Sequence, residues 1–204
     1  MRPFKKSSHP KTALYTLILL IFLLSLFFIP NIPSNPFSKT FGTLIDSLNG
    51  VKVYYNGSIK HVEGRSLSLD QYNFGLKYQC VEFVKRYYYE HLDHQMPDAY
   101  GHAKDFFIPN LTDGALNSQR ALTQYRNPSQ VQPQVNDLLV YAPTLFNPYG
   151  HVAIVARVQT NAIEIIQQNP GRWGHSRQRY QLSQENGQWL IHKKRILGWL
   201  RKKE

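Results

Sequence analysis

Residues 12–29 run for 18 positions without a charged side chain, most of them Leu, Ile and Phe. At about 1.5 Å of rise per residue, such a helix nearly crosses a hydrocarbon core of roughly 30 Å. A surface apolar all round suits lipid better than a packed soluble core. The run exceeds the apolar region of about 7–15 residues typical of a cleaved signal peptide, and Ile-Pro-Asn-Ile-Pro-Ser-Asn-Pro follows it without an Ala-x-Ala site. These features point to an uncleaved transmembrane anchor. Arg2, Lys5, Lys6 and Lys11 precede it, so the positive-inside rule keeps residues 1–11 in the cytoplasm and sends the rest across. The expected address is the cell inner membrane, crossed once, with the folded part facing the periplasm or exterior. Pro30, Pro33 and Pro36 mark residues 30–40 as a linker.

Residues 41–204 hold no repeat and no second composition shift, so they read as one domain. Residues 51–55 alternate and end in Asn56-Gly57, a strand and turn. Val81, Val84, Tyr88 and Leu92 fall at i, i+3, i+7 and i+11, which predicts one helix over 79–92. Lys85-Arg86 and the tyrosines after them then form its exposed and buried sides. Beyond a Pro- and Gly-rich middle come strand-like segments at 137–141, 151–158, 162–168, 188–192 and 195–200. One helix ahead of antiparallel strands is an α+β pattern. His91 and His94 read as solvent-facing cations at the helix end, and no Cys, Asp or Glu completes a metal set at familiar spacing. The formal charge is +11, but no arginine-rich run with interleaved aromatics marks a nucleic-acid partner.

Cys80 is the only cysteine, which excludes an internal disulfide. In a helix's first turn, free N–H groups and the dipole favour thiolate, which predicts a lowered pKa. The same amides, with the Gln79 side chain, offer an oxyanion hole. His151 opens a strand after the turn Asn147-Pro148-Tyr149-Gly150 and shares a face with Ala153 and Val155, at an end where it can meet the helix N-terminus. An antiparallel return around Thr160-Asn161 brings Gln167 near its level, on a face with Ile163, Ile165 and Asn169, while Glu164 points the other way. A buried inert thiol and a strand-end histidine fit these positions as well.

The strings Tyr78-Gln79-Cys80-Val81-Glu82-Phe83 and Gly150-His151-Val152-Ala153-Ile154 resemble the CHAP family of cysteine, histidine-dependent amidohydrolases/peptidases. The likeness is strongest to the amidase domains of bifunctional glutathionylspermidine synthetase/amidases. It runs from Phe41-Gly42-Thr43-Leu44 through 137–141 to Ile196-Leu197-Gly198-Trp199. It implies a papain-like α+β domain whose nucleophile-bearing helix packs on an antiparallel sheet. Cys80 then matches the nucleophile and His151 the general base, and Gln167 stands where the look-alike has a glutamate. Asn169 and Glu164 are the alternative partners for the ring, and Gln79 and Asn169 are candidate substrate or oxyanion residues. The resemblance implies no metal and no cofactor. The substrates it suggests are a peptidoglycan peptide or a peptide–polyamine conjugate such as glutathionylspermidine. A non-catalytic wall-binding module is the rival reading, because Gln167 replaces a carboxylate.

Overall fold

In the computed structural model, which describes residues 14, 15, 17–22, 39–98, 100–171 and 174–203, the alternation around Val51 and Val53 is realised as a hairpin. Its strands are β1 (Leu44–Leu48) and β2 (Val51–Tyr54). Asn49 and Gly50 connect them with φ of 49° and 83°, the doubly positive backbone that a two-residue type I′ turn demands. The Asn-Gly pair that reverses this chain is therefore 49–50 and not 56–57. A second hairpin, β3 (Arg65–Leu67) with β4 (Asn73–Leu76), leads into helix α1 (Cys80–Leu92). The helix begins at Gln79 and closes at Asp93, whose left-handed backbone lets its N–H bond to the Tyr88 carbonyl.

Eight further strands form the main sheet: β5 (Ala115–Asn117), β6 (Leu122–Arg126), β7 (Leu138–Tyr141), β8 (His151–Gln159), β9 (Ala162–Ile166), β10 (Arg177–Glu185), β11 (Gln188–Ile191) and β12 (Ile196–Arg201). Their order is β11-β10-β9-β8-β7-β12-β6-β5, and every pair is antiparallel. Strand alternation splits the apolar side chains between two cores. Val152, Ile154, Val140 and Leu138 pack with Phe83, Val84, Tyr87 and Tyr88 of α1. Ala153, Val155, Leu139 and Ile165 pack on the other face with Tyr180, Leu182 and Trp199. The expected strand periodicity missed β10, whose nine residues carry only Tyr180 and Leu182 as apolar contacts among polar neighbours.

The polar side expected for α1 is not found at its centre. Lys85 and Arg86 are 1% and 8% exposed. Lys85 donates to the Asn73 carbonyl and lies 4.6 Å from the Tyr72 ring centroid. Arg86 pairs with fully buried Glu82 at 2.6 Å. A helix covered by a hairpin on one side and a sheet on the other buries more than one stripe, so its long cations extend to polar partners. His94 is likewise half-buried, with its ring N–H donating to the Arg120 carbonyl at 2.8 Å, and burial lowers its pKa.

The described residues fall into two units, one within 1–38 and the other within 39–204. In the first, residues 14, 15 and 17–22 are helical and exposed. Among the described residues no helix is long and apolar enough to cross a membrane. Most of the 12–29 span and nearly all of the 30–40 linker lie outside the described residues.

Candidate active site

The N-terminus of α1 is fixed from below by a buried polar network. Gln168, fully buried, donates to the Gln79 carbonyl at 3.1 Å and to the Glu82 carboxylate at 2.7 Å. Its own oxygen accepts from the Tyr54 N–H at 2.8 Å. With Arg86 on the other side of Glu82, each charge in this interior has a partner, and that is the condition for burying a carboxylate. Sequence reasoning passed over Gln168. The signal was its parity with Ile166, which points it at the helix.

Cys80 stands at the start of this anchored helix and keeps part of its surface open to a cleft of about 490 Å³ that His151, Gln79 and Asn169 also line. Its sulfur receives the backbone N–H groups of Val152, Val81 and Cys80 itself, which lower the pKa, yet desolvation is larger and pushes the thiol up to about 11. The lowered pKa expected from the helix terminus is thus overturned, because burial of the anion outweighs the three donors. Desolvation also pushes His151 down to about 4, against a smaller opposing effect from Gln167. Both groups rest neutral over a wide pH range.

The imidazole is oriented from behind. His151 Nε2 lies 2.8 Å from Gln167 Oε1, and the Gln167 amide nitrogen donates to the His175 carbonyl at 2.9 Å. Since that carbonyl can only accept, the Gln167 oxygen must accept from the ring, which places the proton on Nε2. Nδ1 is then the unprotonated nitrogen, able to take a proton. Of the three partners considered for the ring, Gln167 is the one in contact. Glu164 is bound to Arg177 at 2.9 Å, and Asn169 donates to the Gln79 side chain at 2.7 Å.

Two backbone features create this meeting. Gly150 has φ of 75°, and a Cβ there would stand 2.8 Å from the Tyr141 carbonyl oxygen and 3.0 Å from Lys104 N, so only glycine fits before His151. In the β8–β9 ladder Val155 faces Ile165 and Arg157 faces Glu164, leaving Ala156 as an extra residue. Without it, a simple antiparallel return would set Gln167 across from Ile154, on the helix side. With it, the register beyond Ile154 and Ile166 sets Gln167 across from Ala153, on the face of His151. That face belongs to the second core, and from the start of β8 His151 lines the same cleft as Cys80.

The oxyanion role expected of the Gln79 and Asn169 side chains does not match their bonding. Gln79 Nε2 donates to the Ile59 and His61 carbonyls at 3.0 and 2.8 Å, and Asn169 Nδ2 to Ile59 at 3.4 Å as well as to Gln79. Their amide hydrogens are spent holding the 59–61 segment against the helix terminus. That leaves backbone N–H groups of the first turn, of which those of Cys80 and Val81 point at the sulfur, beside the place where an oxyanion would form.

Residues 71–169 match the family model of the CHAP domain, a stretch that includes Cys80, His151 and Gln167. Among curated proteins from Crithidia fasciculata, Trypanothione synthetase is 28% identical over 141 residues, covering 67% of this chain and 22% of the relative. Glutathionylspermidine synthase from the same organism is 27% identical over 197 residues, covering 81% of this chain and 26% of the relative. The chain thus spans about a quarter of the length of the curated relatives it matches.

Proposed function

Because this chain carries a CHAP domain at residues 71–169, we propose that it is a thiol-dependent amidohydrolase, with Cys80 as nucleophile, His151 as base and Gln167 as the group that orients the ring. The reading rests above all on an imidazole whose Nε2–H is taken up by Gln167, in one cleft with a thiol that the Val152 N–H touches. With both groups neutral at rest, His151 Nδ1 removes the thiol proton as sulfur attacks the amide carbon. First-turn N–H groups hold the oxyanion. The tetrahedral intermediate expels the amine with the proton returned from His151, and water, activated by the same imidazole, hydrolyses the thioester. The chemistry needs no metal or cofactor.

The protein is further proposed to be anchored through residues 12–29 with this domain beside the cell wall, which favours the peptide stems of peptidoglycan as substrate. The names of the relatives favour a glutathionylspermidine-like conjugate. Purified sacculi assayed for new amino groups, against glutathionylspermidine assayed for spermidine, separate the two. On the substrate that the parent cleaves, Cys80→Ala and His151→Ala are each expected to lose about a thousandfold or more in kcat. Full activity in both variants would sink the reading. A non-catalytic wall-binding module is the second reading, favoured by the neutral Gln167 behind the ring; it predicts no turnover of either substrate and unchanged binding by Cys80→Ala.

A further inference from the structure

One wall of the cleft is cationic and unneutralised. Lys60 and Arg65 line it, and no Asp or Glu does among the described residues. Both cations are exposed, and neither takes part in an ion pair among the described residues. Glu63, between them in sequence, is turned to His61 at 2.9 Å. Arg65 is nonetheless held in place: it opens β3 opposite Leu76, and its guanidinium carbon lies 5.4 Å from the centroid of the Tyr100 ring. A cation–aromatic contact of this kind uses none of the guanidinium N–H donors, which stay available for a planar acceptor.

The wall carrying Tyr100 is itself pinned. Buried Arg120 donates to the Asp98 carbonyl at 2.7 Å and to the Tyr100 carbonyl at 3.4 Å. Behind it, Lys85 is lowered to about 8, first by burial and then by repulsion from Arg120 and Arg65, with Asp98 opposing. Asp98 and Asp105 offset Arg120 behind this wall, so the cations that an anion in the cleft meets are the two that line it, Lys60 and Arg65.

We infer that this end of the cleft is a carboxylate subsite, in which Arg65, supported by Lys60, takes a free carboxylate of the amide substrate, so that the site selects acidic peptides over amides bearing polyamines. The selection rests on the amidohydrolase reading for its effect on turnover, but the subsite itself does not. A polyamine on the leaving amine would bring like charge toward Lys60 and Arg65. An acidic peptide gains a bidentate partner whose other contacts are already made.

The test uses two N-acetylated tripeptide amides that differ only in a central glutamate or glutamine, and a third in which spermidine is amide-linked to the glutamine peptide. Hydrolysis is measured with the full chain, and affinity by calorimetry on Cys80→Ala, each with and without Arg65→Gln. The glutamate peptide is expected to lead the glutamine peptide by about tenfold in kcat/KM and in affinity. Arg65→Gln is expected to erase that preference and leave the glutamine peptide within about twofold, with Arg65→Lys restoring part of it. Equal handling of the two peptides, a preference that survives Arg65→Gln, or a lead for the spermidine conjugate would overturn the subsite. Preferential binding without any hydrolysis would keep the subsite and remove the amidohydrolase reading. Arg65 is exposed, so its variants should melt with the parent; a lowered melting temperature in Arg65→Gln is checked against Arg65→Lys before affinities are compared.

Discussion

Gln167 gives an amide hydrogen to a carbonyl that can do nothing but accept, and this fixes the proton of His151 on Nε2, the nitrogen that faces the amide. A neutral amide orients the ring as well as a carboxylate would, but it does less to hold a positive imidazolium. Desolvation is what raises the thiol and lowers the imidazole, and the Gln167 hydrogen bond opposes the second shift without cancelling it. Alkylation by iodoacetamide is expected to climb only above pH 8.5 or so, the ordinary thiol range, whereas a standing thiolate–imidazolium pair would already react at neutral pH. Replacing the amide by a carboxylate should reverse this. In Gln167→Glu, alkylation at pH 7 is expected to rise by about tenfold, because a nearby negative charge favours the protonated ring by a pKa unit or more. An unchanged rate would mean that the ring and the thiol do not share a proton.

Among the elements, α1 was legible because its apolar residues keep helical spacing, and the places of Cys80 and His151 were legible because each lies where a regular element begins. What the sequence hid was anything that depends on one element lying against another. The burial of Lys85 needs the β3–β4 hairpin to cover the helix, that of Arg86 needs β2 with Lys52 and Tyr54, and the commitment of Gln79 needs the 59–61 segment beside it. Polar β10 is a strand because β9 and β11 both pair with it, which no periodicity within it announces. The glycine ahead of His151 was visible only as a turn signal, while its requirement comes from Tyr141 and Lys104 on neighbouring elements. Gly150→Ala is therefore expected to cost roughly 2 kcal/mol or more, from positive φ and backbone crowding together. Urea denaturation checks the size of the loss, and parental stability would show that the turn can be rebuilt. Gln168→Ala leaves Glu82 short of a donor in a dry interior, and about 1–3 kcal/mol of destabilisation is expected by the same measurement.

For the whole molecule, the half-buried neutral histidine makes stability depend on acidity. The unfolded chain takes up a proton on His151 near its ordinary 6.5, while the folded chain resists until about 4, so stability falls as pH falls between those values. The full difference amounts to about 3 kcal/mol, and half-buried His94 acts in the same direction. Urea midpoints measured from pH 7 to pH 4.5 are expected to decline in the parent and to flatten in His151→Gln; identical slopes would contradict a ring held neutral by desolvation. On the alkaline side the thiol, raised from 9.0 to about 11, removes stability as pH climbs across that interval. Lys85, lowered from 10.5 to about 8, adds stability as pH rises through its own interval, so the two offset each other there. The extra residue at Ala156 has a different kind of consequence, one that concerns inheritance. Whether Gln167 stands behind His151 is settled by counting positions along β8, in the way a reading frame is settled. Many side chains at 156 would preserve the count, whereas one codon lost or gained between 155 and 167 on either strand turns the pair to opposite faces of the sheet. Lineages carrying this site should therefore drift freely in residue type across the hairpin while its length stays fixed.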